Sequence, residues 1–148
     1  MTEVEAFLTP EDEAEIVEAI RLAEKNTSGE IRVHLEPHCK KDSFLRAQEV
    51  FNKLEMHNTN SRNGVLIYVA VEDRSLVILG DEGINEAVPD NFWESTITII
   101  ISNFKNGNPK QGLVDGITKA GEQLKKYFPY HKDDIDELSN EISKETDV

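Results

Sequence analysis

"NGVLIYVAVEDRSLVILG", residues 63–80, holds two apolar runs joined by a short charged link. The first run, through Ala70, is continuously apolar, the pattern of a central strand covered on both faces. The link "VEDRS" is too short for a crossover, so "LVILG" folds back as the second arm of a hairpin and runs antiparallel to the first. A strand buried on both sides requires helices above and below it, and the rest of the chain is read for them.

Upstream, "EIRVHLEP" (residues 30–37) alternates Ile31, Val33 and Leu35 against Glu30, Arg32, His34 and Glu36. That period predicts a half-buried strand stopped by Pro37. Between the two strands, "DSFLRAQEVFNKLEMHN" offers Asp42 as a helix cap and sets Phe44, Ala47, Phe51 and Leu54 at helical spacing. Strand, helix, strand implies a right-handed crossover, which makes the two strands parallel.

Before them, "LTPEDEAEIVEAIRLAEKN" starts a helix with Thr9 as N-cap and Pro10 at the first helical position. Its early acids, Glu11, Asp12 and Glu13, suit the helix dipole. After the hairpin, "NFWESTITIIISNFKNGN" is rich in β-branched residues. Trp93, Ile97, Ile100 and Phe104 nevertheless fall on one helical face, over a length that suits a helix, and Trp93 belongs to the core. "PKQGLVDGITKAGEQLKKYF" gives a further helix, with Gly112 and Gly116 as surfaces for close packing. In the tail, Ile135, Leu138 and Ile142 predict one more amphipathic helix, and a fourth short strand is expected near Ile84 to Val88.

The fold class that results is α/β, a three-layer α/β/α sandwich with a small mixed sheet. The 148 residues are expected to form one domain, 1–148, ending in an acidic tail, 129–148, with helical patterning. Cys39 is the single cysteine, so an internal disulfide is excluded. No apolar run approaches the roughly 20 residues that cross a bilayer. The amino terminus is acidic where a secretory signal is basic and then apolar, so the expected location is the cytoplasm. Of the net charge of −13, residues 1–20 contribute seven acids and no base, and residues 129–148 seven acids against two lysines. This distribution argues against nucleic acid and anionic membrane as partners, since both are held through basic patches.

Strand direction decides which loops meet. The starts of the two parallel strands and the end of the hairpin gather "SGE", "TNSRNG" and "GDEG" at one edge. Oxygen ligands there suit a hard divalent cation, calcium before magnesium, with Asp81, Glu82, Asp90, Glu30 and Asn63 as the candidate set. The opposite edge, where ligands of open α/β sheets usually bind, brings Glu36, His38, Glu72 and Asp73 together. Neither edge offers a nucleophile with its base, and no phosphate-binding glycine loop precedes a helix. His34, His38 and Cys39 are spread along an extended strand and turned aside by Pro37, which does not suit zinc.

"SGEIRVHLEP", "NGVLIYVAVEDRSLVILGDEGI" and "FKNGNPKQGLVDGI" together resemble the TPM domain family over about residues 10–128. The resemblance implies an α/β/α sandwich, an acidic cleft able to bind calcium or a similar ion, and the acid phosphatase activity attributed to plant members. Asn63-Gly64, Asp73-Arg74 and Asp90 match family positions and favour the Asn63 edge. The chain departs at Arg62, where many relatives carry an acid, and at "GDEGIN", where relatives have a Gly-Tyr-Gly-Leu-Glu type loop. The expectation is therefore a non-catalytic or weakly catalytic cation-binding domain. The alternatives are a metal-dependent phosphomonoesterase, with Arg62 or Arg74 on the phosphate, and an interaction module for a protein partner.

Overall fold

The computed structural model describes residues 3–130 and 137–145. In chain order the elements are α1 (Glu3–Phe7), α2 (Pro10–Ala23), β1 (Glu30–Glu36), α3 (Ser43–Lys53), β2 (Gly64–Ala70) and β3 (Ser75–Gly80), then α4 (Glu82–Ala87), α5 (Glu94–Lys105), α6 (Pro109–Leu124) and β4 (Ser143–Lys144). The sheet runs β3-β2-β1-β4. β1 and β2 are parallel from Glu30↔Gly64 to Glu36↔Ala70, and β3 is antiparallel to β2 from Val65↔Gly80 to Ala70↔Ser75. All seven residues of β2 are buried, as its unbroken apolar run predicts.

The pleat assigns the layers. Ile31, Val33 and Leu35 of β1 join Val65, Ile67 and Val69 of β2 in one cluster with α2, α5 and α6. Leu66, Tyr68 and Ala70 point to the other face, where α3 supplies Ala47, Val50 and Phe51. Helices on both faces of a mixed sheet make the expected three-layer sandwich.

Local chemistry accounts for the helices. Thr9 and Asp12 form a reciprocal capping box at the start of α2, and the Asp42 carboxylate accepts the N–H groups of Phe44 and Leu45 at 3.0 and 3.1 Å. The β-branched run in α5 is helical because Thr96 and Ile100 pack inward against α6. A Cβ at Gly116 would lie 2.4 Å from Ile100 Cγ1, so only glycine admits that crossing.

Four expectations need correction. Ile84 to Val88 is not a strand: Asp81 caps α4 there, with its Oδ1 accepting the Glu82 N–H at 2.8 Å. The fourth strand comes instead from the tail, where Ser143 and Lys144 pair in parallel with His34 and Leu35. The described tail residues, 137–145, contain no helix, and Ile135 lies outside the described residues. Phe44 is 50% exposed, because α3 turns Ala47, Val50 and Phe51 inward instead. Finally, β1 is not half-buried: β4, α3 and the tail at Glu137 and Leu138 cover its polar side too, leaving Glu30, His34 and Glu36 at 3%, 2% and 3% exposure. Among the described residues, no helix is long and apolar enough to cross a membrane.

Candidate functional site

The amino edge of the sheet holds four of the five predicted ligands close to the strand ends. Asp81 follows β3 directly and is 7% exposed. Arg62 reaches it with two hydrogen bonds, Nε to Oδ2 at 2.8 Å and Nη2 to Oδ1 at 3.0 Å, and donates from Nη1 to Glu82 Oε1 at 3.1 Å. Such a fork suits a planar guanidinium. The Asp81 carboxylate pushes the Arg62 guanidinium above its ordinary pKa. Arg62 takes up a left-handed backbone, φ 49°, and its carbonyl accepts the Gly83 N–H at 2.9 Å. A Cβ at Gly83 would stand 2.2 Å from the Ser61 carbonyl oxygen and 2.6 Å from that of Arg62, so this loop closes only over glycine.

Glu30 faces the other way, toward the tail. Its Oε1 accepts the N–H groups of Glu137 and Leu138 at 2.6 and 2.8 Å, while Glu137 Oε2 accepts the Asn60 N–H at 3.1 Å. The Asn63 main-chain oxygen accepts the Glu30 N–H at 3.2 Å. The Asn63 side chain is 2% exposed and donates from Nδ2 to Ser28 Oγ at 3.3 Å, while its Oδ1 is buried with no hydrogen-bond partner. Asp90 is exposed in the turn between α4 and α5. The structure thus joins Asp81 with Glu82 and Glu30 with Asn63, and leaves Asp90 apart. Among the described residues, no group of three or more His, Cys, Asp or Glu is placed to hold a metal ion.

The opposite edge carries a denser arrangement. Glu36 is the hub: its carboxylate accepts from Arg46 Nε at 2.9 Å and Arg46 Nη2 at 2.8 Å, and from the Tyr68 hydroxyl. His34 Nε2 lies 2.9 Å from Glu36 Oε1, and His34 Nδ1 lies 2.9 Å from Ser143 Oγ. Arg46 Nη2 also donates to Glu145 Oε2 at 2.6 Å, and Lys53 pairs with the same carboxylate. Burial pushes the Glu36 carboxyl up, but hydrogen bonds from His34, Arg46 and Tyr68 prevail and hold it at about 2. Burial and the bond to Glu36 both raise the Tyr68 hydroxyl.

Ser143, His34 and Glu36 follow one another as nucleophile, base and orienting acid do in hydrolases. Glu36 is nevertheless saturated by Arg46 and Tyr68, and the neighbouring cavity of about 260 Å³ is lined by Glu36, Arg46 and Glu145, not by Ser143. The network therefore works as a clamp that fastens β4 to β1. Of the four residues first expected at this edge, Glu36 belongs to the clamp and Glu72 is exposed. His38 and Asp73 form a separate surface contact at 3.1 Å, with the Cys39 N–H on the same carboxylate at 2.6 Å. Arg46, Tyr68, Ser143 and Glu145 lie far from Glu36 in sequence; only the shared strand face of His34 and Glu36 signals them.

Comparison with known proteins agrees with this architecture. The TPM domain model matches residues 1–123. The NMR structure of the BA42 protein from the psychrophilic bacterium Bizionia argentinensis is 64% identical, with 94% of this chain and 96% of that one covered at a TM-score of 0.90. The N-terminal domain of a protein from P. gingivalis is 18% identical over 84% of this chain and 83% of its own, at a TM-score of 0.68. The N-terminal domain of the cg2496 protein from Corynebacterium glutamicum is 14% identical over 79% and 74%, at 0.63. These last two are alike in fold alone. No curated protein matches the chain. With the family match spanning most of the sheet and its helices, the chain belongs to the TPM domain family.

Proposed function

We propose that this TPM domain is a non-catalytic module that binds a divalent cation, calcium before magnesium, at the amino edge of its sheet. The observation that carries the reading is the Asn63 side chain, whose amide oxygen is buried without a donor. An acceptor left in that state costs roughly 1–3 kcal/mol. A hard cation satisfies amide, carboxylate and main-chain oxygens together. Asp81, once released by Arg62, and Glu30, once turned from the Glu137 and Leu138 N–H groups, supply the carboxylates of that donor set, and Glu82 adjoins Asp81. Asp90, exposed on a separate turn, reaches the ion only if the turn shifts.

In this reading Arg62 is a built-in competitor. Its guanidinium neutralises Asp81 and Glu82, so an arriving cation displaces it. The same engagement argues for a non-catalytic role, because the guanidinium nearest this edge is spent on carboxylates and is not offered to a phosphoryl group.

The test is a titration of chelator-treated protein with calcium and then magnesium, followed by amide NMR. Saturable shifts at Ser28, Glu30, Asn63 and Asp81 to Gly83 are expected, and Glu30→Gln or Asp81→Asn should weaken binding. Unchanged affinity in both variants, or no shifts, would overturn the reading.

A further inference from the structure

At the carboxyl end of β2, on the face covered by α5, the core leaves a space that it does not fill. β3 is an edge strand, only half-buried over its first five residues. Beside it lies a cavity of about 550 Å³ with Phe7, Val69, Val71, Leu76 and Phe104 in its walls. That volume falls within the roughly 300–1,000 Å³ of small-molecule sites. Phe7 packs edge-to-face on Phe104 at 5.6 Å, so the five-residue α1 closes one side.

Two cations, Arg74 and Lys105, line the same cavity. Both are exposed, and among the described residues neither forms an ion pair. Arg74 sits in the hairpin link with φ 55°, a left-handed backbone that a side chain adopts only at some cost. In a chain of net charge −13, an apolar cavity bordered by two cations that form no ion pair among the described residues is a local reversal of charge.

We propose that this cavity binds a single-chain amphiphile with a carboxylate head, of the fatty-acid class. The alkyl chain lies against Val69, Val71, Leu76 and Phe104, gaining from removal of apolar surface from water. The carboxylate sits between Arg74 and Lys105, where a guanidinium fork and an ammonium satisfy its two oxygens. The site lies at the opposite end of β2 from the proposed cation site and stands independently of it.

The experiment uses the isotope-labelled full chain, titrated with decanoate and with decanol below their aggregation limits. Decanoate should give saturable shifts at Val69, Val71, Leu76 and Phe104, and decanol should bind about tenfold more weakly, the factor one charge-assisted hydrogen bond supplies. Arg74→Gln combined with Lys105→Gln should lose that advantage while leaving decanol binding unchanged; both side chains are exposed, so the fold survives the change. Equal affinity for decanoate and decanol, absence of saturable shifts, or shifts centred on the exposed Leu22, Phe44 and Leu45 would each overturn the proposal. Binding to anionic phospholipid vesicles without binding to free decanoate would do the same, by moving the ligand into a membrane.

Discussion

Replacing Glu36 by Gln removes one charge from the centre of the clamp while keeping the side chain's size and planar end. The side chain is 4% exposed, and three donors besides His34 converge on its oxygens, two of them from Arg46. Its carboxyl is held at about 2 against 4.5 for the free group. That difference corresponds to about 3 kcal/mol of folding stability at neutral pH, since a tenfold change in proton affinity is about 1.4 kcal/mol. Arg46 is about one-fifth exposed, so solvent screens part of this, and roughly 2–3 kcal/mol remains. Domains of this size are stable by about 5–15 kcal/mol. With a urea dependence of about 1–3 kcal/mol per molar, the unfolding midpoint should fall by about 0.7–3 M.

The sign of the pH dependence follows from the depressed carboxyl. The native state holds the Glu36 proton more weakly than the unfolded chain, so the stabilisation is fully present above about pH 4.5 and is lost as the pH falls toward 2. Parent and Glu36→Gln unfolding curves, followed by Trp93 fluorescence, should therefore differ most at neutral pH and converge across that acid window. Identical urea midpoints at pH 7, or a gap that persists unchanged at the acid end, would refute the assignment of Glu36 as a paired, stabilising charge.

Three further outcomes are expected. Gly83→Ala should destabilise the fold by more than the 1–3 kcal/mol typical of overpacking, because its Cβ meets the main-chain oxygens of Ser61 and Arg62 and not a side-chain tip; chemical denaturation measures it, and a near-neutral result would mean that the loop can re-form. Thr9→Ala should cost about 1 kcal/mol by breaking the capping box at the start of α2, read as a lower thermal midpoint. Arg62→Gln should raise calcium affinity several-fold by freeing Asp81 and Glu82, read by calorimetric titration; unchanged or weaker binding would remove the competitor role.

What the sequence makes legible is whatever depends on near neighbours. The run from Gly64 to Ala70 identifies the central strand because an unbroken apolar segment of that length can only be covered on both faces. Thr9 and Asp42 mark helix starts because a cap acts within three residues. β1 shows where this reasoning ends. Its alternation reports polarity and not exposure, and the polar face is buried because Arg46, Tyr68 and Ser143 satisfy it from three other elements. β4 is hidden for the same reason: two residues carry no strand pattern, and what holds them is the clamp together with the Glu145 N–H donated to Leu35 at 2.9 Å.

The amino edge repeats the lesson with opposite consequence. Arg62 stands in the sequence where the family resemblance leads one to expect an acid, but its partner is 19 residues away. A carboxylate at that position would add to the negative charge of Asp81 and Glu82, and the edge would depend on an external cation for neutrality. A guanidinium there lets the chain neutralise itself. An arriving cation therefore has to displace Arg62 from Asp81 and Glu82. Calcium binding strengthened in Arg62→Gln and lost in Arg62→Gln with Asp81→Asn would identify Arg62 as the group that holds the cation's place, and affinity equal to the parent's in Arg62→Gln would refute it.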